Sequence, residues 1–285
     1  MVTTDALTVA VVQMAMVPSR SENIERACEL LQRAAGLGAQ VVVLPELFES
    51  QYFPAAINDR HFGFATTAEE NPAIAALSPV CRTCEVAAPV SFFERAGERY
   101  YNSVVMLDAD GRCVGRYRKT HIPDGPGYEE KHYFAPGDTG FSVFTTRYGR
   151  IGVAICWDQW FPECARDMAL QGAEVLVYPT AIGNEPERPE RDTAAPWRRV
   201  MVGHAVANTT PVAAANRVGL EGKQCFYGSS FVCDGYGDVQ AELGRDEEGV
   251  ALYCFDRRAA AEERAWMGLL RDRRPGAYAR LSSKS

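Results

Sequence analysis

Three residues of this chain join chemical capability to an informative position. Cys156 ends the apolar run Ile151-Gly-Val-Ala-Ile155 and precedes Trp157-Asp-Gln-Trp-Phe-Pro-Glu163. A thiol there is held rigidly where a sheet opens to substrate, the place where α/β enzymes carry nucleophiles. Glu46 closes Val-Val-Val-Leu-Pro-Glu. Pro45 turns the chain out of the sheet and leaves a carboxylate at the strand end. Lys119 follows the strand-like segment Cys113–Arg118. An acid, a cation and a thiol suffice to attack a poor carbonyl electrophile. One takes the thiol proton, one stabilises the developing oxyanion, and one forms the covalent bond. Such chemistry needs neither a metal nor another cofactor, and none is expected.

Each residue alone has a plainer explanation. A buried cysteine serves equally as a small hydrophobe, and eight other cysteines show how freely this chain uses them. Glu46 also fits a solvated loop acid. Lys119 lies in Arg116-Tyr-Arg-Lys119, a charge run that suits an exposed sheet edge. Coincidence favours chemistry, because three apolar strands end in complementary groups. If these are parallel strands of one sheet, their ends share a side. His61, His121, His132 and His204 lack metal-ligand spacing, although a Cys–His pair stays open. Cys81-Arg-Thr-Cys84 has no second such pair and reads as thiols beside a packed helix end. The absence of a G-x-G-x-x-G or phosphate-binding loop leaves nucleotide chemistry unsupported.

The elements that must position these groups alternate between strand and helix. Leu7–Met14 reads as a strand. Ser19-Arg-Ser-Glu22 has capping-box spacing before a helix with Ile24, Ala27, Cys28, Leu31 and Ala35 on one face. The near-continuous apolar run Gln40–Leu44 predicts a strand covered on both faces. Further strands are predicted at Val86–Phe93, Asn102–Leu107, Cys113–Arg118, Phe141–Thr146, Ile151–Ile155, Glu174–Tyr178 and Val212–Ala215. Helices are predicted at Pro162–Gln171, near Ala195–Asn208 and from about Arg258. Thr120–Thr139 and Pro179–Asp192 read as long functional loops.

At 285 residues and 47% hydrophobic, the chain has ample material for a large core. With no linker or low-complexity stretch, one domain over residues 1–285 is expected. The net charge of -7 argues against nucleic acid or an anionic membrane surface as a partner, and is compatible with a cationic small molecule. The first residues lack a basic n-region and no apolar run is long enough to cross a bilayer, so a cytoplasmic protein with reduced cysteines is expected.

Leu-Pro-Glu46, Arg-Lys119-Thr-His and Ile-Cys156-Trp-Asp resemble the Glu–Lys–Cys triad of the nitrilase (carbon–nitrogen hydrolase) superfamily, in the same order and over nearly the whole chain. Within it, His121–Phe134, Pro136–Phe141, Cys156–Ala165, Tyr178–Gly183, Phe226–Phe231 and Arg271–Pro275 resemble the N-carbamoylputrescine amidohydrolase group. Asn184 departs from that pattern, standing where Ser is expected before Glu-Pro, and His132 replaces an aromatic residue.

The resemblance implies an α/β fold, the four-layer α-β-β-α sandwich. It implies catalytic Glu46, Lys119 and Cys156, with the Trp157 backbone N–H joining Lys119 at the oxyanion. Glu130 is similar to the superfamily's second glutamate, with Glu129 an adjacent rival. The implied reaction is hydrolysis of N-carbamoylputrescine through a cysteine thioester, a step of polyamine biosynthesis. Glu185 is expected to hold the distal ammonium, with a solvated loop acid as its alternative. Trp157, Trp160 and Phe161 are candidates to wall the aliphatic spacer or simply to pack the core. Rival readings are an amidase acting on another N-carbamoyl amine, an N-carbamoyl amino acid or an ω-amide, and a non-catalytic binding protein on the same fold. A homodimer or larger homo-oligomer is expected, with the tail 271–285 at the subunit interface.

Overall fold

A computed structural model describes residues 5–188 and 190–282. The first half of the chain runs β1 (Ala6–Gln13), α1 (Arg20–Gly36), β2 (Val41–Val43), α2 (Pro72–Cys84), β3 (Ala88–Ala96), β4 (Arg99–Leu107) and β5 (Cys113–Arg118). Next come α3 (Glu130–Tyr133), β6 (Ser142–Thr146), β7 (Gly149–Val153), α4 (Pro162–Leu170), β8 (Val175–Pro179) and α5 (Ala194–Asn208). The chain continues through β9 (Val212–Ala215), β10 (Val218–Glu221), β11 (Gln224–Tyr227), β12 (Phe231–Cys233), β13 (Val239–Glu242), β14 (Gly249–Asp256) and α6 (Arg257–Met267).

One sheet has the order β13-β12-β9-β8-β7-β6, with β7, β8 and β9 parallel at its centre. Facing it are β14-β1-β2 and β3-β4-β5. The parallel bridge of Val41 with Ala87 joins these two sets, with Val42 N–H donating to the Ala87 carbonyl at 2.9 Å. Side-chain alternation then makes the layers. Val9, Val11, Val41, Val43 and Val104 pack between the sheets against Ile151, Val153, Val175 and Val177. Their neighbours Ala10, Val12, Val42 and Val105 pack outward against Ile24, Leu30 and Leu31 of α1 and Leu77 of α2. Cys164 and Met168 of α4 and Trp197 and Met201 of α5 cover the other sheet. The result is the four-layer α-β-β-α sandwich.

The Ser19 hydroxyl accepts from the Glu22 N–H and caps α1, as its spacing predicts. Ile24, Ala27 and Leu31 are buried on that helix, while Cys28 and Ala35 are half-buried at its edge. All nine cysteines are free thiols, and Cys81 and Cys84 close α2.

One sequence expectation is corrected. Glu46, Lys119 and Cys156 do not leave parallel strands of a single sheet. Glu46 follows β2 and Lys119 follows β5 on one side of the sandwich, whereas Cys156 follows β7 in the facing sheet. Strand-end periodicity cannot distinguish one sheet from two stacked sheets, because both bury apolar runs on both faces.

The long loop after β5 is not irregular throughout. It contains α3 and is pinned by an aromatic cluster of Tyr52, Phe53, Phe93, Tyr133, Phe134 and Phe226. Such rings bury large apolar areas at low entropic cost, and they hold the loop against the mouth of the sandwich.

Candidate active site

The segment Leu44–Leu47 leaves β2 and crosses toward the facing sheet, where Glu46 N–H donates to the Thr180 carbonyl at 3.2 Å. Leu47 takes a left-handed conformation, φ +48°, an uncommon state for a non-glycine residue that its surroundings must impose. The buried guanidinium of Arg217 imposes it. Arg217 donates to the Glu46 carbonyl at 2.9 and 3.2 Å and to the Leu47 carbonyl at 2.5 Å, and pairs with Glu221 at 3.0 Å. The Glu46 side chain is fully buried, and its Oε1 accepts from Asn102 Nδ2 at 2.6 Å and Lys119 Nζ at 2.8 Å.

Lys119 is also fully buried. Besides Glu46 it donates to both oxygens of Glu130, at 2.9 and 2.7 Å, so its three N–H groups meet three acceptors. Burial pulls the ammonium pKa down, but the charges of Glu130 and Glu46 outweigh that and raise it, so Lys119 stays charged. Glu130 lies at the start of α3 and also accepts from the Tyr52 hydroxyl at 2.5 Å. Burial, opposed by Lys119 and reinforced by Glu46, lifts the Glu130 carboxyl to about 7. The partner of Lys119 is thus Glu130 rather than half-buried Glu129.

Cys156 begins a tight 3-10 turn, Cys156–Trp160, after β7 ends at Val153 and Ala154 and Ile155 follow. Its φ of +42° is left-handed, strain of about 1–3 kcal/mol that holds the thiol at a sharp corner. Buried Asp158 stabilises the corner. Its Oδ2 accepts from Ile155 N–H at 3.2 Å and the Tyr117 hydroxyl at 2.6 Å, and its Oδ1 accepts from His121 N–H at 2.9 Å. Trp157 N–H lies in the first turn of this short helix, where no preceding intrahelical carbonyl can reach it. Burial, reinforced by Glu46 and opposed by Lys119, pushes the Cys156 thiol well above the ordinary cysteine range. The resting group is therefore a neutral thiol.

Cys156 and Glu130 line a cavity of about 280 Å³ that also takes in Trp157, Trp160, Tyr128 and Glu185. Buried Cys156 and Glu130 mark its inner end, and exposed Asp124 and Glu187 its outer rim, together with Arg188. Half-buried Glu185 stands between, and burial raises its carboxyl pKa. Asn184 ties the Glu185 loop to β11, its Oδ1 accepting from Cys225 N–H at 2.7 Å. Gly183 is required beside it, because a Cβ there would lie 2.2 Å from the Cys225 carbonyl oxygen. Of the two readings of Phe161, packing is the one that holds. Its ring stacks on His121 at 3.6 Å between centroids, and Trp157 and Trp160 wall the cavity without it.

The structure thus brings Glu46, Lys119, Glu130 and Cys156 together and places Trp157 and Glu185 on the same cavity. The family model for carbon-nitrogen hydrolases matches residues 8–264. The chain belongs to that family. This carbon–nitrogen hydrolase is 48% identical to the N-carbamoylputrescine amidase of Solanum lycopersicum, over 95% of this chain and 93% of that protein. It is 45% identical to a citrullinase of Francisella tularensis, over 97% of this chain and 98% of that one. A crystal structure of a carbon-nitrogen hydrolase from Helicobacter pylori G27 superposes with a TM-score of 0.91 at 38% identity, covering 98% of this chain and 99% of that chain.

Sequence reasoning missed Asn102, Tyr52, Arg217 and Asp158. Asp158 was legible as an acid two residues after the thiol, within helix-capping reach. The others touch the site only through the fold.

The neutral thiol has a measurable consequence. Methyl methanethiosulfonate, which is not an amide and so does not exploit amide hydrolysis, should modify Cys156 at a rate that climbs with pH to beyond about 9 without levelling. Peptide mass spectrometry would follow the site, and a plateau below pH 8 would mean a resting thiolate.

Proposed function

We propose that this hydrolase converts N-carbamoylputrescine to putrescine, ammonia and carbon dioxide. The observation that carries this reading is Glu185, standing half-buried in the cavity of Cys156 with Asp124 and Glu187 at the rim. A carboxylate partly removed from water favours a cationic partner, and a carbamoyl-diamine carries one at the far end. The relative from Solanum lycopersicum, named for this activity, supports the reading.

In the proposed mechanism Glu46 takes the Cys156 proton as Sγ bonds to the ureido carbon, so the thiolate forms only during attack. Trp157 N–H and Lys119 stabilise the oxyanion. Lys119 has no unengaged N–H at rest, so one of its two bonds to Glu130 passes to the oxyanion. The carbon–nitrogen bond to the terminal amide nitrogen breaks, and ammonia leaves with the proton held by Glu46. Water then gives a proton to Glu46 and attacks the carbamoyl-thioester. Sulfur departs as the thiol, and the released carbamate loses carbon dioxide to yield the amine. Glu130 holds Lys119 throughout.

A ureido amino acid is the second reading. Arg188 also lines the cavity, and the relative from Francisella tularensis is a citrullinase. The reading in polyamine biosynthesis carries with it a cytoplasmic location, one domain spanning the chain, and a homodimer or larger assembly. Exposed Tyr278 and Leu281 support the tail as part of the interface, although Ser283–Ser285 lie outside the described residues.

Cys156→Ala should abolish turnover, and a tenth of the wild-type kcat in that variant would sink the covalent scheme. Glu185→Gln should raise KM for N-carbamoylputrescine at least tenfold, about 1.4 kcal/mol of lost binding, with kcat changed far less. Ammonia release from N-carbamoylputrescine, citrulline, N-carbamoyl-β-alanine and an ω-amide decides the substrate. A preference for citrulline would overturn the first reading. Sedimentation at micromolar concentration should give a dimer or larger species, against which a monomer would stand.

A further inference from the structure

The two oxygens of Glu46 have different surroundings. Oε1 accepts two hydrogen bonds, from Asn102 Nδ2 at 2.6 Å and Lys119 Nζ at 2.8 Å. Oε2 is buried and accepts none among the described residues. Both oxygens of neighbouring Glu130, by contrast, are engaged. A buried carboxylate oxygen without a partner is costly, by about 1–3 kcal/mol or more for a charged group, and its persistence calls for an explanation.

We infer that Asn102 is a positioning residue that divides the work of the Glu46 carboxylate, anchoring Oε1 so that Oε2 remains free to take the proton of Cys156. The inference rests on the proposed role of Glu46 as the base. The amide orientation is dictated by chemistry, since an ionised carboxylate only accepts and the NH₂ end must face it. Asn102 is itself held firmly. It lies fully buried in β4, and its backbone carbonyl accepts from Lys119 N–H at 2.8 Å. One backbone contact therefore sets the two anchors of Oε1 relative to each other.

With Lys119 alone, the carboxylate would have a single anchor whose ammonium is shared with Glu130 and, during turnover, with the oxyanion. It could then rotate and offer Lys119 either oxygen. The second anchor keeps Oε2 presented while Lys119 exchanges partners. The charged and titratable groups that face Glu46 are Lys119 from the end of β5, Glu130 from α3, Cys156 from the turn after β7, Tyr52 from the turn before Phe53–Ala55 and, at its backbone carbonyl, Arg217 just before β10. Substitution of Asn102 leaves all five in place.

The test compares Asn102→Leu, similar in size but without a donor, with the wild-type enzyme on whichever amide or ureido substrate the wild type turns over. We expect kcat to fall about 10–100-fold with KM within threefold, the pattern of an interaction needed in the reaction rather than in binding. Asn102→Ser, which keeps a hydroxyl donor, should recover part of the lost kcat, whereas a merely structural role would leave this smaller residue no better than Leu. A drop in kcat that Asn102→Ser does not relieve, or an unchanged enzyme, overturns the inference. Should Asn102→Leu fail to fold, judged by circular dichroism and thermal unfolding, Asn102→Ala takes its place in the comparison with Asn102→Ser. Glu46→Gln separates the two levels. If it stays active, the base assignment fails. If it is inactive while the Asn102 variants keep the wild-type kcat, only the role of Asn102 fails.

Discussion

A single buried ammonium organises the reactive end of this protein. Lys119 and its two carboxylate partners are almost wholly buried, and isolated charges in that position would be prohibitive. Such a cluster survives only if every proton of the cation has an acceptor and the excess negative charge is dispersed. Both conditions are met. The three N–H groups of Lys119 meet Glu46 and Glu130, and Tyr52 and Asn102 bring further donors to the carboxylates. Burial also lifts the Glu130 carboxyl, which eases the repulsion of two acids around one cation. Much of the nearby structure serves this arrangement. Arg217 fixes the strained backbone under Glu46, and the aromatic cluster beneath the long loop holds α3 and therefore Glu130.

The same burial sets the state of the nucleophile. A thiolate needs either water or a dedicated positive partner, and Lys119 is already shared between two carboxylates. The thiol stays neutral, and nucleophilicity is created only as its proton moves. That economy explains why geometry matters so much here. A left-handed corner stabilised by Asp158 fixes Sγ, and a proton acceptor must already be in place when substrate arrives. Rigid positioning of this kind substitutes for a permanently activated group.

The two ends of the cavity are built differently. Its inner end is formed by Cys156, in the turn after β7, and Glu130, in α3. Its outer end is made of the segments 123–128 and 185–188, which lie on loops. Loops tolerate change without disturbing the core. The relatives reflect this division, since an N-carbamoylputrescine amidase and a citrullinase stand at 48% and 45% identity to the same chain.

The sequence by itself determined the local chemistry and the alternation of elements. Apolar runs covered on both faces, a Ser19 cap, a proline that ejects Glu46 and a thiol at a strand end are all written in neighbouring residues, because propensity, capping and periodicity act over a few positions. The identity of the reactive acid, cation and thiol was legible for the same reason. Tertiary structure alone decided that these groups come from two facing sheets, since periodicity reads burial and not which layer does the burying. It alone chose Glu130 over Glu129, turned Phe161 away from the cavity, and recruited Asn102, Tyr52 and Arg217. These depend on contacts between residues as far apart as Glu46 and Arg217, 171 positions along the chain. No short-range rule specifies such a contact, because it exists only once the core has closed around it.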